Sequence, residues 1–224
     1  MKNKKKHVAF LMGGLSSERE VSINSGNACY DAIDKEKYRA TKVIIDKNFY
    51  DQIINIKPDI CFNALHGSFG EDGTIQSFLN KIKMPYTHSG ANASTIAMNK
   101  LLTKNYLSHF FKNTEEQIIF PKTFDLKSLK QYEKLLPLVL KPISGGSSVE
   151  INILSNDADL NNVKDKIFSN KFIVEPLVGN RELTVSVLEN KPLVVTEIIS
   201  KKNLFYDYNS KYSSNGSLHI LPAK

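Results

Sequence analysis

The sequence predicts an α/β unit with a parallel sheet, followed by an α+β unit built on antiparallel strands. Three observations predict this. Over roughly residues 1–90, strand-like apolar runs alternate with helical stretches, the pattern of a parallel sheet. Beyond that point strand-like runs succeed one another with few helices between, which favours antiparallel pairing. The length, 224 residues, is roughly one and a half ordinary domains, and 41% apolar residues suffice for a packed core.

The elements follow in order. His7–Met12 is a short apolar run ending at Gly13-Gly14, as a buried strand does on reaching a turn. Ser17 is expected to head the next helix. With Glu20 three residues on it has the pattern of a capping box, and Val21, Ala28 and Ile33 supply an apolar face. Tyr38–Ile45 and Asp59–Leu65 read as the second and third strands, Glu71–Gly73 as a turn and Ile75–Ile82 as a helix. The character changes near Ser89-Gly90. Ala93–Phe111 reads as one helix, Phe120–Phe124 as a short extended piece with Pro121 at an edge, and Leu126–Leu136 as a further helix. Leu138–Leu140 is a strand running into Lys141-Pro142. Val149–Leu154, Phe172–Val174, Leu183–Leu188 and Leu193–Ile199 are strand-like, with one helix near Leu160–Phe168 between them. Phe205–Ser214 reads as a loop, and Ile220–Lys224 ends the sequence with no capping element after it.

Charge excludes some function classes. Basic residues exceed acidic ones by 30 − 23 = +7, but only Arg19, Arg39 and Arg181 are arginines. Lys2, Lys4, Lys5 and Lys6 form a short basic start that reads as a solvated tail. A nucleic-acid binder would carry an arginine-rich stripe along a helix or sheet face, so no nucleic-acid partner is expected. The positive charge can still draw in anionic substrates. No apolar run approaches the ~18 residues of a membrane span. The basic start and His7–Met12 mimic a signal peptide, but polar Ser16–Glu20 follows at once. Cys29 and Cys61 make no disulfide framework. A soluble, cytoplasmic chain is expected.

Five segments carry chemistry-bearing residues. Gly13–Glu20 places glycines between a strand and a helix start. Its spacing is not that of a dinucleotide loop, and Glu18 in the first turn would repel a phosphate. Glu18 suits an ammonium ligand, or else merely complements the helix dipole. Leu65–Gly73 follows a buried strand, at the strand end where α/β sheets bind ligands; His66 there could orient an acid or pass a proton, or be a turn residue. Lys141–Ser148 is not a Walker loop, because the lysine precedes the glycines and a strand follows. Its glycines and serines could still wrap phosphate oxygens, with Lys141 as a point charge, or form a flexible hairpin. Ile173–Glu182 could pair with an adenine edge and offer a carboxylate to ribose, or link two strand blocks. Phe205–Ser213, with three tyrosines and a lysine, suits a lid or a packed aromatic loop.

Taken in order, these segments resemble the D-alanine–D-alanine ligase family of the ATP-grasp superfamily. The matching stretches are GGLSSEREVS (Gly13–Ser22), ALHGSFGEDG (Ala64–Gly73), PYTHSG (Pro85–Gly90), MNK (Met98–Lys100), KPISGGSSV (Lys141–Val149), Glu175–Val185 and FYDYNSKY (Phe205–Tyr212). EREVS with LHGxxGEDG and YDYxxKY is highly specific, and the matches span nearly the whole chain. The resemblance implies an N-terminal substrate-binding domain over 1–91 and an ATP-grasp domain over 92–224. The latter would hold a central subdomain to about 176 and the start of a C-terminal one. It implies that ATP phosphorylates one D-alanine and that the amine of a second displaces the phosphate. Glu18 would hold the first ammonium, with His66 near it. Lys100 and Lys141 would bind phosphates, Glu175, Leu177 and Val178 the adenine, and Glu182 the ribose. Ser147 and Tyr212 would pair to position Glu18, and Lys211 would approach the γ-phosphate. A homodimer and a role in peptidoglycan precursor supply are implied as well.

Three departures stand out. Glu150 occupies the place of the glycine usual after GSSV, and Asn209 that of an acidic residue in YDYxxKY. The family's chains also continue past this point, through a segment whose aspartate and Glu-x-Asn pair hold two Mg²⁺ ions. Tyr208–Lys224 contains no Asp or Glu, and Glu150-Ile151-Asn152 reads as a chance match. The ATP-grasp domain is therefore expected to be incomplete at its C-terminal end, the chain a fragment nearly inactive alone. Two alternatives are a non-catalytic nucleotide- or D-alanine-binding remnant, and one part of a split ligase whose second polypeptide supplies the rest.

Overall fold

The computed structural model describes residues 4–46, 48–113, 120–179, 181–201, 210–211 and 215–224. Strand β1 (Lys6–Gly13) lies between β2 (Tyr38–Ile45) and β3 (Ile60–Asn63) and runs parallel to both. Every residue from His7 to Gly13 is buried. A strand covered on both faces must be apolar at consecutive positions, which is why His7–Met12 shows no alternation. Ala9 and Leu11 pack with Val43, Ile45 and Cys61 against helices α2 (Phe49–Ile56) and α3 (Thr74–Lys81). Val8, Phe10 and Met12 face the other way, against Cys29 and Tyr30 of helix α1 (Arg19–Ala32).

Three expectations are corrected in this region. The capping box at Ser17 and Glu20 does not form: Glu18 occupies the N-cap of α1, and no side chain caps it. The hydroxyl next door, on Ser16, is engaged instead, accepting the Glu18 N–H at 3.2 Å and donating to the His66 carbonyl at 2.7 Å. Helix α2 was not expected; its Phe49 and Ile53, four apart, are buried. The single helix over 93–111 is two, α4 (Ala91–Met98) and α5 (Lys100–Phe110), with a short 3₁₀ turn at Phe111–Asn113. Asn99 breaks it, because its side-chain oxygen takes the N–H groups of Leu101 and Leu102 while its own backbone is extended.

By contacts the chain forms two compact units, Met1–Glu115 and Glu116–Lys224, so α4 and α5 fall in the first. In the second unit the core strand is β4 (Leu138–Pro142), flanked by β5 (Asn152–Leu154) and β6 (Phe172–Pro176), all antiparallel. Helices α6 (Leu129–Glu133), α7 (Asp157–Asn162) and α8 (Lys164–Ile167) accompany it. Tyr132, Leu138, Leu140, Leu154, Leu160, Ile167 and Val174 form its core. Helix α6 is shorter than the expected Leu126–Leu136, starting at a Ser128–Gln131 capping box, and Leu160–Phe168 is divided between α7 and α8. The runs at 183–188 and 193–199 are also divided. They give β7 (Glu182–Thr184), β8 (Val187–Leu188), β9 (Lys191–Pro192) and β10 (Thr196–Ser200). Glu189 and Asn190, both at positive φ, turn β8 into β9 as a two-residue hairpin. A last strand, β11 (Ser217–Ile220), was not expected and pairs with β10, which also pairs with β7. Antiparallel pairing throughout agrees with the α+β expectation. Among the described residues no helix is long and apolar enough to cross a membrane.

Two predictions test this packing. A Cβ added at Gly26 of α1 would stand 2.7 Å from the Met12 Cβ, so the helix lies on β1 at a distance only glycine allows. Gly26→Ala is expected to destabilise the first unit by about 1–3 kcal/mol in urea titrations, and an unchanged midpoint would refute the close approach. Burial, and then the Arg39 guanidinium, hold the His7 imidazole below its ordinary pKa of 6.5, against the opposing charge of Asp59. A depressed histidine stabilises the fold above its unfolded pKa, and that contribution drains away as pH falls below it. Stability should therefore decline from about pH 7 to about pH 5 less steeply in His7→Asn than in the parent chain, and equal slopes would contradict the assignment.

Candidate active site

The carboxyl ends of β1 and β3 lie side by side, with the Ala64 N–H donating to the Leu11 carbonyl at 2.9 Å. From β1 the chain turns through Gly13 and Gly14, both at positive φ, into α1. From β3 it enters the Leu65–Gly73 loop. Ser22, fully buried in α1, ties the two together: its hydroxyl accepts the Gly13 N–H at 2.9 Å and donates to the Ala64 carbonyl at 2.8 Å. Arg19 reaches back to the Gly14 carbonyl at 3.0 Å.

The loop is held from within. Glu71 accepts the Gly67 N–H at 2.6 Å, and Asp72 accepts the N–H groups of Phe69 and Thr74 at 2.8 and 2.9 Å. Burial pushes the Asp72 carboxyl up, but these hydrogen bonds, that from Phe69 foremost, leave it below its ordinary range. Asn63 and Gln76 both donate to the Gly70 carbonyl, at 2.9 and 2.7 Å. The structure brings Glu18 and His66 to this one place. Glu18 is buried, and a Cβ on Gly67 would stand 2.7 Å from its Oε2, so loop backbone lies directly against the carboxylate. His66 places Nε2 3.1 Å from the Ser25 hydroxyl of α1. Lys100 lies in the same unit, half-buried at the start of α5.

The remaining expected residues belong to the second unit. Lys141, near the end of β4, and Glu175 of β6 form an ion pair of 2.6 Å, with the glutamate side chain only 1% exposed. The Thr123 hydroxyl lies 3.4 Å from the other Glu175 oxygen. The Glu175 side chain is thus turned to Lys141 and Thr123. Ser147 and Ser148 have φ of 51° and 59° in the loop after β4, and Glu150 has 56°. Beyond β6, Leu177 donates its N–H to the Pro137 carbonyl, Val178 is exposed, and Glu182 opens β7 on the surface. Lys211 is half-buried next to Ser210, whose hydroxyl is 2.8 Å from that of Ser200. Tyr212 and Asn209 lie outside the described residues, and with Tyr212 the expected pairing to Ser147.

Comparison with known proteins decides the family. A model described as D-ala D-ala ligase N-terminus matches residues 7–54 and 47–89, and one described as D-ala D-ala ligase C-terminus matches 107–224. The D-alanine–D-alanine ligase of Bartonella henselae is 40% identical over 226 residues, covering 99% of this chain and 73% of its own length. That of Sinorhizobium medicae is 42% identical, covering 98% and 71%. Among solved structures, the Bacillus anthracis ligase superposes with a TM-score of 0.78 at 30% identity, over 98% of this chain and 72% of its own. The same ligase complexed with ATP gives 0.77 at 28% identity, over 99% and 72%.

The chain belongs to the D-alanine–D-alanine ligase family.

Within a ligase of this family, the supporting residues are those sequence reasoning passed over: Ser16, Ser22, Ser25, Asn63, Glu71, Asp72, Gln76 and Thr123. Several carried a readable signal. Asn63 interrupts an otherwise apolar strand, and Ser22 lies one turn beyond Glu18. Among the described residues no group of three or more His, Cys, Asp or Glu gathers to hold a metal ion. The Lys141–Glu175 pair yields a prediction. Lys141→Met leaves a buried carboxylate without its ammonium and should destabilise the second unit by about 2–4 kcal/mol, while the double variant with Glu175→Leu should regain most of that loss. Additive losses, measured by urea denaturation of all four chains, would show that the pair is not coupled.

Proposed function

We propose that this chain binds ATP and D-alanine as part of a ligase that transfers the γ-phosphoryl group to the D-alanine carboxylate, the first step of forming D-alanyl-D-alanine, and that alone it releases little phosphate. A carboxylate is a poor electrophile. Converted to an acyl phosphate, it presents a carbon that the amine of a second D-alanine can attack, with inorganic phosphate leaving and an amine proton released. The observation that carries this reading is the burial of Glu18 against Gly67 at the carboxyl edge of the sheet. A carboxylate held there, beside a loop locked by its own hydrogen bonds, suits the ammonium of an amino acid and repels its carboxylate.

The other roles follow the family pattern. His66 lies beside Glu18 and faces the same substrate. Lys141, held in place by Glu175, donates to the nucleotide phosphates, and Lys100 and Lys211 supply the further positive charge. Exposed Leu177 and Val178 offer apolar surface and backbone to adenine, and Glu182 offers a carboxylate to ribose. The work is placement and charge neutralisation. Mg²⁺ would neutralise the γ-phosphate when bound; among the described residues no group of three or more His, Cys, Asp or Glu gathers to hold it. The reading carries a homodimer acting in the cytoplasm to supply peptidoglycan precursors. A second reading, in which another polypeptide completes the ligase, is supported by apolar side chains left exposed around β7–β11, among them Leu183, Val187, Leu188, Val194 and Leu218.

The test is calorimetric titration of the chain with ATP and with D-alanine, alongside D-alanine-dependent phosphate release in MgATP. Saturable binding of both ligands is expected. Glu18→Gln should weaken D-alanine binding by about 10-fold or more, the worth of a charge-assisted contact, and leave ATP binding intact. Absence of ATP binding, or D-alanine binding unaffected by Glu18→Gln, would overturn the proposal.

A further inference from the structure

A cavity of about 420 Å³ opens at the amino ends of the parallel strands, the opposite end from Glu18 and the Leu65–Gly73 loop. It is assembled from three segments: Lys4 and Lys5 before β1, Tyr38 and Arg39 at the start of β2, and Lys57 and Asp59 before β3. Four cationic side chains therefore line it against one carboxylate. That carboxylate is already engaged, since Asp59 Oδ2 accepts the His7 N–H at 2.6 Å.

Two of the four cations are held by neutral groups. Arg39 Nη2 donates to His7 Nδ1 at 2.6 Å. A ring nitrogen that accepts carries no proton, so the imidazole is neutral and its Nε2–H faces the Thr41 hydroxyl at 2.8 Å. His7 is buried, which fixes this acceptor in place. Lys5 Nζ is likewise tied to a neutral partner, the Lys35 carbonyl, at 2.6 Å. An imidazole or a carbonyl aims a cation without cancelling its charge. The Arg181–Glu197 pair, with two contacts of 2.8 Å, is the contrasting case: there the guanidinium is aimed and neutralised together. Converging positive charge concentrates anions.

We propose that this cavity is a binding site for dianionic phosphate, free or as the monoester of a small molecule. A planar guanidinium fork with flanking ammonium groups suits phosphate oxygens. The cavity falls within the roughly 300–1,000 Å³ range of small-molecule sites, larger than one phosphate needs, and the half-exposed Tyr38 ring supplies a wall for an organic remainder. The site lies wholly in the first unit and is independent of the ligase reading.

The experiment follows the five histidine ring signals of the full chain by NMR at pH 7.5, during titration with glycerol phosphate, with inorganic phosphate and with chloride at matched ionic strength. A saturable shift of the His7 signal is expected with both phosphates, at millimolar affinity or tighter, and none with chloride. Lys57→Gln, which leaves the Arg39–His7 contact in place, should weaken binding by at least 10-fold, and Arg39→Gln should do the same. Tighter binding of glycerol phosphate assigns an esterified ligand, equal binding assigns the free ion, and either supports the site. No saturable His7 shift up to about 50 mM, where even weak sites fill, or an equal response to chloride, would overturn it. So would undiminished affinity in Lys57→Gln.

Discussion

The first unit depends on the burial of β1 between two parallel neighbours. Val8, Ala9, Phe10, Leu11 and Met12 are each at most 7% exposed, and a fully buried large apolar side chain contributes roughly 1.5–3 kcal/mol. The hydrogen bonds inside the loops contribute about 1 kcal/mol each. The strand therefore dictates where the loops go. Because β1 and β3 are parallel and adjacent, the turn after one and the loop after the other must emerge at the same edge. Buried Ser22 then converts adjacency into a fixed spacing by bonding to both.

On that frame the molecule buries carboxylates in two different ways. Glu175 is compensated by a full ammonium charge on the neighbouring strand, so removing either partner costs the other its ion pair. Glu18 occupies the N-cap of α1, where the helix dipole favours a negative charge by about 0.3–2 kcal/mol. A carboxylate kept in such a place is well matched to a ligand bringing its own positive charge, which is the physical core of the D-alanine reading.

Much of this was legible in the sequence, for reasons visible in particular residues. The unbroken apolar run of β1, the glycines after it and the dense LHGSFGEDG loop each reflect one strong local requirement. Part of what escaped depended on partners distant in sequence, part on local side-chain-to-backbone bonds. The Ser17–Glu20 pattern suggested a cap, but the neighbouring Ser16 hydroxyl is claimed by the His66 carbonyl, fifty residues on. Asn99 broke an expected helix through bonds to the residues just beyond it, a choice that composition does not reveal. Helix α2 is too short to show a period, and only the sheet face it covers explains why Phe49 and Ile53 are apolar. In the candidate site Glu18 and His66 stood out as chemistry, whereas Asn63, Asp72 and Gln76 act through backbone groups that no spacing displays.

The loop after β4 carries the argument one step further. Ser147, Ser148 and Glu150 all lie at φ between 51° and 59°, a region that costs residues with a Cβ roughly 1–2 kcal/mol each. Glu150 does form an ion pair with Lys166 at 3.2 Å, but both side chains are exposed, and such pairs contribute at most about 1 kcal/mol. Backbone that alternates through the left-handed region turns successive N–H groups toward a common point, which is the geometry that holds anions. The strained residues begin six positions after Lys141, whose ammonium is held by Glu175. On the proposed reading, a loop with this backbone and this neighbour is shaped to wrap the nucleotide phosphates.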